Sequence, residues 1–169
     1  MSAELPAWDL PDPFVMALEV PADTIDSYGH VNNAVYIGWL ERCGWAHSEA
    51  VGFPESRLIG MRRGMAVRRI DVSYLAACYE GDRVLVADWV VANDGKLHAA
   101  RRFQIINETR RQVALRGEID YFCINLDTGR PVRMPAEFVD AYPAVEGARS
   151  ELGVSVSRAD DWKTRAPGA

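Results

Sequence analysis

The clearest periodic pattern in the chain is an alternation of apolar and polar side chains from Gln112 to Ile124. It predicts a strand with one face in water. Its apolar positions are Val113, Leu115, Ile119 and Tyr121. Similar segments predict further strands at Met16 to Val20, Gly64 to Tyr74, Arg83 to Val91 and Leu97 to Ile106. Short polar turns separate the last four strands, so we expect them to form successive antiparallel hairpins.

A helix is predicted between the first strand and the other four. From Ala34 to Val51, apolar side chains recur every three or four residues, while polar ones fall on the other side. The apolar positions are Tyr36, Leu40, Cys43, His47 and Ala50. Asn32 or Asn33 is placed to cap the start of this helix. A shorter helix is expected from Pro135 to Tyr142.

This order of elements predicts an α+β domain in which the helix packs on an antiparallel sheet. A parallel sheet would need a crossover after nearly every strand, and only one connection here contains a helix. The 169 residues of the chain suit one domain, which we place at residues 14–142. The ends, residues 1–13 and 143–169, lack sustained periodicity and are expected to be peripheral or partly mobile.

Composition and charge disfavour several classes of function. A net charge of −5 gives no overall basic field, so we expect no nucleic-acid partner. No stretch is apolar for long enough to span a bilayer, and the first residues do not form a secretory signal. Three widely separated cysteines match neither a zinc spacing nor a redox pair. We therefore expect a cytoplasmic protein that binds no metal and needs no cofactor.

Residues able to do chemistry are concentrated at positions 23–39, before and at the start of the predicted helix. They include Asp26, Gly29, His30, Asn32 and Asn33. A helix start offers unpaired backbone NH groups and the positive end of the helix dipole, which suit an oxygen that gains negative charge. The Asp26 carboxylate could attack a carbonyl carbon or deprotonate a water molecule. The same residue types also occur simply as turn and helix caps.

The run Asp26-x-x-Gly29-His30-Val31-Asn32-Asn33-Ala34-x-Tyr36 resembles the signature of the 4-hydroxybenzoyl-CoA thioesterase-like branch of hotdog proteins. The segments from His30 to Asn33 and from Tyr36 to Trp39 also resemble plant acyl-ACP thioesterases, although Tyr28 stands where those enzymes have an asparagine. Weaker similarities downstream extend the resemblance over Val15 to Tyr142.

The resemblance implies a hotdog fold, in which a sheet of about five antiparallel strands wraps one long central helix. It implies a homodimer or homotetramer with active sites between subunits, and hydrolysis of an acyl-CoA to a carboxylic acid and CoA. Asp26 matches the family's catalytic aspartate, acting as nucleophile or general base. The NH of Asn33 matches the group that polarises the thioester carbonyl. His30 either contacts substrate or water, or fixes the turn by a hydrogen bond.

Substrate contacts are also implied. Gly29 and Tyr36 are expected beside the substrate, and Tyr36 together with Leu40 could line an acyl tunnel along the helix. The nucleotide end of CoA is expected near the turn from Asn93 to Lys96, with Lys96 as its candidate contact.

Other charged residues have two interpretations. Glu41 on the helix competes with Asp26 as a catalytic carboxylate, and we expect it to be solvated or at an interface. Arginine pairs such as Arg101-Arg102 could contact ligand phosphates, although solvated strand faces and turn edges explain them better.

Other functions remain open, the least favoured being a purely structural dimer module, which would leave the dense polar turn at residues 23–33 unexplained. A hydratase or dehydratase of the same fold is disfavoured because the chain lacks a Gly-Asp-x-Asn-Pro-x-His segment. A noncatalytic acyl-CoA-binding protein would keep the cleft without turnover, and an acyl-ACP thioesterase would take its substrate from a carrier protein. The sequence does not identify the acyl group.

Overall fold

The structure of the protein, a computed structural model, describes residues 4–148. Its elements in chain order are β1 (Phe14–Glu19), α1 (Asn33–Ala50), α2 (Glu55–Gly60), β2 (Arg63–Tyr74), β3 (Arg83–Asn93), β4 (His98–Asn107), β5 (Gln112–Asn125) and α3 (Ala136–Ala141). The strands form one antiparallel sheet in the order β1-β3-β4-β5-β2. One long helix on a five-stranded antiparallel sheet confirms the predicted α+β hotdog class.

Strand connectivity differs from the prediction at one place. The hairpins β3–β4 and β4–β5 form as expected, but a hairpin between β2 and β3 is wrong, because β2 lies beside β5 at the far edge of the sheet. The turn before β3 is hydrogen-bonded to the residue that follows β1: Gly81 NH donates to Val20 O at 3.0 Å, and Val20 NH donates to Asp82 O at 2.8 Å. That turn therefore extends the β1–β3 pairing.

The 18-residue helix α1 packs on the concave face of the sheet. Asn32 caps it, accepting the Ala34 NH on its side-chain oxygen at 2.9 Å, as expected for a helix start. One face of the helix belongs to the main hydrophobic core, with Leu40 and Cys43 fully buried against strand residues such as Val86 and Phe103. This apolar contact fixes the helix, and with it the polar turn that precedes it.

The convex face of the sheet is covered by the chain ends. Trp8 meets Trp89 edge to face at 6.2 Å, and Trp89 Nε1 donates to Pro11 O at 2.8 Å. From the other end of the described chain, Val145 packs into the same cluster as Trp8 and Trp89, and its NH donates to Val90 O at 2.9 Å. The head from residue 4 and the first residues after 142 are thus packed at the periphery, while residues 149–169 lie outside the described part of the chain. Because both sheet faces are covered, β4 is almost wholly buried.

The three cysteines, Cys43, Cys78 and Cys123, are free and buried. Burial raises the pKa of each thiol, and that of Cys43 to about 12. Within residues 4–148, no helix is both long enough and apolar enough to cross a membrane.

Candidate active site

The turn before α1 is closed by its own backbone. Asp26 NH donates to His30 O at 2.9 Å, and Gly29 NH donates to Asp26 O at 3.0 Å. Gly29 has a φ of 81°, in the left-handed region that glycine adopts without a steric penalty. The loop is anchored to the rest of the protein where Val31 NH donates to Cys78 O at 2.9 Å. These bonds hold Asp26 and His30 on one side of a small rigid loop.

The Asp26 carboxylate is half-buried and only partly engaged. Its Oδ1 accepts the Tyr28 NH at 2.9 Å, and His30 Nδ1 lies 3.8 Å from the same oxygen. Among the described residues, Oδ2 has no hydrogen-bond donor. The side chains of His30 and Asp26 are 36% and 21% exposed, so both remain accessible. One oxygen thus orients the carboxylate, and the other can accept a proton or attack a carbon.

The start of α1, which directly follows this turn, offers one free backbone donor. Ala34 NH and Val35 NH are both satisfied by Asn32, and Asn32 NH donates to Thr24 O at 2.9 Å. The Asn33 NH has no acceptor within residues 4–148. Tyr74 OH donates to Asn33 O at 2.9 Å and so ties this residue to the sheet. The turn thus brings the Asp26 and His30 side chains to within 3.8 Å of each other, and the Asn33 NH lies at the helix start that directly follows this turn.

Tyr36 and Lys96 lie away from that group. Tyr36 is 2% exposed, and its hydroxyl accepts the Cys78 NH at 2.9 Å, so it belongs to the core of the chain. Lys96 is exposed in the β3–β4 turn, where its carbonyl accepts the Met134 NH. The Asp26 turn lies near the start of β3, and the ten residues of β4 span about 30 Å. A single chain does not bring Lys96 to Asp26.

A cavity of about 280 Å³ lies between α1 and the concave face of the sheet. Its walls are mostly apolar, with side chains from the three helices and from the four strands β2 to β5, among them Ile37, Trp45, Met65, Ile70, Ile119 and Phe138. On α1 the cavity follows Ile37, Glu41 and Ser48, which share one helix face with Asn33. A cavity thus runs along the helix, but its α1 wall is this face and not the face that carries the buried Tyr36 and Leu40.

The far end of the cavity is polar. Arg101 is bonded through Nη1 to Asp88 Oδ2, and its Nη2 donates to Ser48 Oγ at 3.2 Å. His47 Nδ1 lies 2.9 Å from the same Asp88 oxygen. Burial opposes the charge on Arg101, but Asp88 outweighs this and keeps the pKa of Arg101 above its usual value. Tyr142 completes this end of the cavity. Sequence analysis missed the cluster.

The chain matches one protein-family model, and its fold is similar to that of many solved structures. The model of the thioesterase-like superfamily matches residues 20–142. No curated protein matches the chain. A 1,4-dihydroxy-2-naphthoyl-CoA thioesterase from Synechocystis has a TM-score of 0.70 at 15% identity, covering 77% of this chain and 95% of its own. A DHNA-CoA thioesterase from Staphylococcus aureus has a TM-score of 0.70 at 23% identity, covering 76% and 85%.

A third similar structure is a hypothetical protein from Staphylococcus aureus in complex with CoA, with a TM-score of 0.71 at 18% identity, covering 88% of this chain and 96% of its own. At such identities these likenesses show the shared fold. The family match rests on the sequence itself and spans most of the chain, including the Asp26 turn, α1 and all strands except β1. The chain therefore belongs to the thioesterase-like superfamily and has its hotdog fold.

Proposed function

We propose that the protein hydrolyses an acyl-CoA thioester to the free carboxylic acid and CoA. Family membership supports thioester hydrolysis as the reaction class. The observation that carries the finer proposal is a half-buried Asp26 carboxylate with one unengaged oxygen, in the turn that leads directly into a helix start with a free Asn33 NH. Such a pair supplies both a base or nucleophile and a donor for a developing oxyanion.

In the reaction we propose, the thioester carbonyl oxygen accepts the Asn33 NH. Asp26 Oδ2 either takes a proton from a water molecule whose oxygen adds to the carbonyl carbon, or adds to that carbon itself to form an anhydride that water then cleaves. In both routes the C–S bond breaks, the thiolate of CoA leaves and is protonated, and the acid is released. His30, within 3.8 Å of Asp26, is placed to contact the water or the substrate.

Coenzyme A is our proposed carrier of the acyl group. Two similar structures are thioesterases of a CoA ester and a third is a CoA complex. A net charge of −5 gives no general attraction for an acidic carrier protein, which makes an acyl-ACP substrate the second candidate. A cytoplasmic location fits three free cysteines.

We also propose that the active unit is a homo-oligomer. Three apolar side chains of the cavity wall are unusually exposed for their size: Trp45 at 42%, Val67 at 54% and Ile70 at 41%. A second copy of the chain would cover them, as the family resemblance implies. It is also the only way for Lys96 to approach an Asp26 site, because within one chain they lie at opposite ends of β4. Whether the oligomer is a dimer or a tetramer stays open.

The proposal is tested by thiol release from a panel of aliphatic and aromatic acyl-CoAs. Asp26→Asn keeps the shape of the side chain but removes its basicity, and we expect turnover to fall at least ~100-fold. Asp23→Asn is the matched control, since Asp23 is an exposed carboxylate three residues earlier, and it should retain wild-type turnover.

Three outcomes would contradict the proposal. Equal losses in the two variants, or activity that survives Asp26→Asn, would move the chemistry to another group, with Glu41 in the cavity wall next in line. Binding of acyl-CoA by the wild type without thiol release would favour a noncatalytic acyl-CoA-binding protein.

A further inference from the structure

One buried hydroxyl in the cavity lacks a hydrogen bond of normal geometry. Tyr142 is 4% exposed; the Ser48 hydroxyl is close enough to offset part of the rise that burial causes in its pKa, but no described residue makes a hydrogen bond of normal length and angle to its OH. Buried polar groups are almost always satisfied, and an exception calls for an explanation. Burial raises the pKa of Tyr142, so the hydroxyl stays protonated and can donate. Because Tyr142 lines the cavity, an oxygen of a bound molecule would supply the missing acceptor.

The side chains next to Tyr142 also suit a ligand oxygen that accepts hydrogen bonds. The Arg101 guanidinium lies 5.3 Å above the Tyr142 ring and has five NH groups, not all of which are used by Asp88 and Ser48. The Ser48 hydroxyl adds a further polar atom to this wall. Each of the three side chains carries a hydrogen-bond donor in this part of the wall, and the rest of the cavity is mainly apolar.

Charge at this end favours a neutral ligand group. Asp88 sits directly on Arg101 and balances its charge, so the pair presents hydrogen-bond donors with no net charge. Glu41 adds a carboxylate to the wall nearer the Asp26 turn. A chain ending in a carboxylate would meet this negative charge without an unpaired cation to offset it. A neutral hydroxyl or carbonyl oxygen would not be repelled by the Glu41 carboxylate.

The distance along α1 sets the length of the ligand. Ile37, where the cavity begins, is one turn, about 6 Å, from Asn33, and Ser48 is about 22 Å from Asn33 along the helix axis. An acyl group with its thioester carbonyl at the Asn33 NH, lying along this face, would pass the apolar walls first. Its distal end would then reach Tyr142.

We propose that the preferred substrate is a long acyl-CoA whose distal end bears a neutral oxygen, a hydroxyl or a carbonyl, which accepts a hydrogen bond from Tyr142 and its neighbours. This inference rests on the proposed hydrolysis of acyl-CoA and adds the class of acyl group.

The test compares matched pairs of straight-chain acyl-CoAs of increasing length, with a terminal methyl group or a terminal hydroxyl. For long chains we expect the wild type to favour the hydroxylated partner in kcat/KM by about tenfold, the effect of one good hydrogen bond. Tyr142→Phe should abolish that preference, so that the two partners of each long pair are turned over with equal kcat/KM. Tyr79→Phe, a tyrosine outside the cavity walls, should keep the preference.

Binding of the free acids separates this inference from the proposed reaction. By calorimetry, the wild type should bind the long hydroxy acid more tightly than the unsubstituted acid, and Tyr142→Phe should bind both equally. If that result appears without thiol release from any acyl-CoA, the cavity assignment stands and hydrolysis fails. If thioesters are hydrolysed but no distal oxygen is preferred, or the preference survives in Tyr142→Phe, the inference is overturned.

Discussion

Replacing Asp88 with leucine should destabilise the protein far more than an ordinary loss of one ion pair. Asp88 is fully buried, and Arg101 is only 9% exposed. In the Asp88→Leu variant the Arg101 charge would stay in the same buried place without a carboxylate, with the Ser48 hydroxyl and His47 Nδ1 as its hydrogen-bond neighbours. Removing one partner of a buried pair typically costs about 3–5 kcal/mol, because the remaining charge is left uncompensated.

The reverse substitution and the double variant test that explanation. Arg101→Met should cost less, because His47 Nδ1 lies 2.9 Å from Asp88 and still contacts the carboxylate. Asp88→Leu combined with Arg101→Met leaves an apolar pair, and we expect it to recover most of the stability lost in Asp88→Leu. The two sites are in contact, so their effects should not add.

Urea unfolding followed by tryptophan fluorescence provides the measurement, and Trp89 reports from the position next to Asp88 on β3. Asp71→Asn serves as the control, since the Arg69–Asp71 pair lies on the surface, with side chains more than half exposed, and such pairs contribute little. The explanation is wrong if Asp88→Leu is no less stable than Asp71→Asn, or if the double variant is less stable than Asp88→Leu alone.

Two further predictions concern buried polar groups. Tyr36→Phe should lower the free energy of unfolding by about 1–3 kcal/mol, because the buried Cys78 NH loses its acceptor; urea unfolding measures this, and no change would mean that the bond contributes nothing. Burial would raise the pKa of Asp82, but hydrogen bonds from Arg110, Asn107 and Tyr79 NH outweigh it and lower that pKa. Asp82 therefore stabilises the fold above a pH of about 4 and loses this effect as the pH falls through its folded pKa. Compared by unfolding across pH, Asp82→Asn should be less stable than wild type near neutrality and converge with it in acid; a constant difference would refute this.

The sequence predicted the parts of the fold that rest on local pattern. The period of 3.6 residues in the helix and the alternation in β5 place those elements within a residue or two of their observed bounds. The helix α2 was missed, although Pro54 followed by Glu55 is a typical helix start. The pairing of β2 with β5 was also missed, since a turn motif does not show which strands lie beside it.

The candidate site likewise has one part that a local sequence motif predicts and one part that only the tertiary structure brings together. Asp26, His30 and the Asn33 NH are neighbours in sequence, so one local turn brings them together and a motif can identify them. The polar end of the cavity joins Asp88, Arg101 and Tyr142 from separate elements. Arg101 was expected on a solvated face or at a phosphate, because a pair of arginines in a strand looks the same in sequence whether or not a buried acid faces one of them.

The three buried thiols should react very slowly with the thiol dye that detects released CoA. Only the thiolate reacts, and Cys43, Cys78 and Cys123 are at most 2% exposed with raised pKa values. A thiol dye should therefore count released CoA with little background from the folded chain. Because the three thiols can be labelled only when the core opens, the rate of cysteine labelling would report local or global unfolding under native conditions.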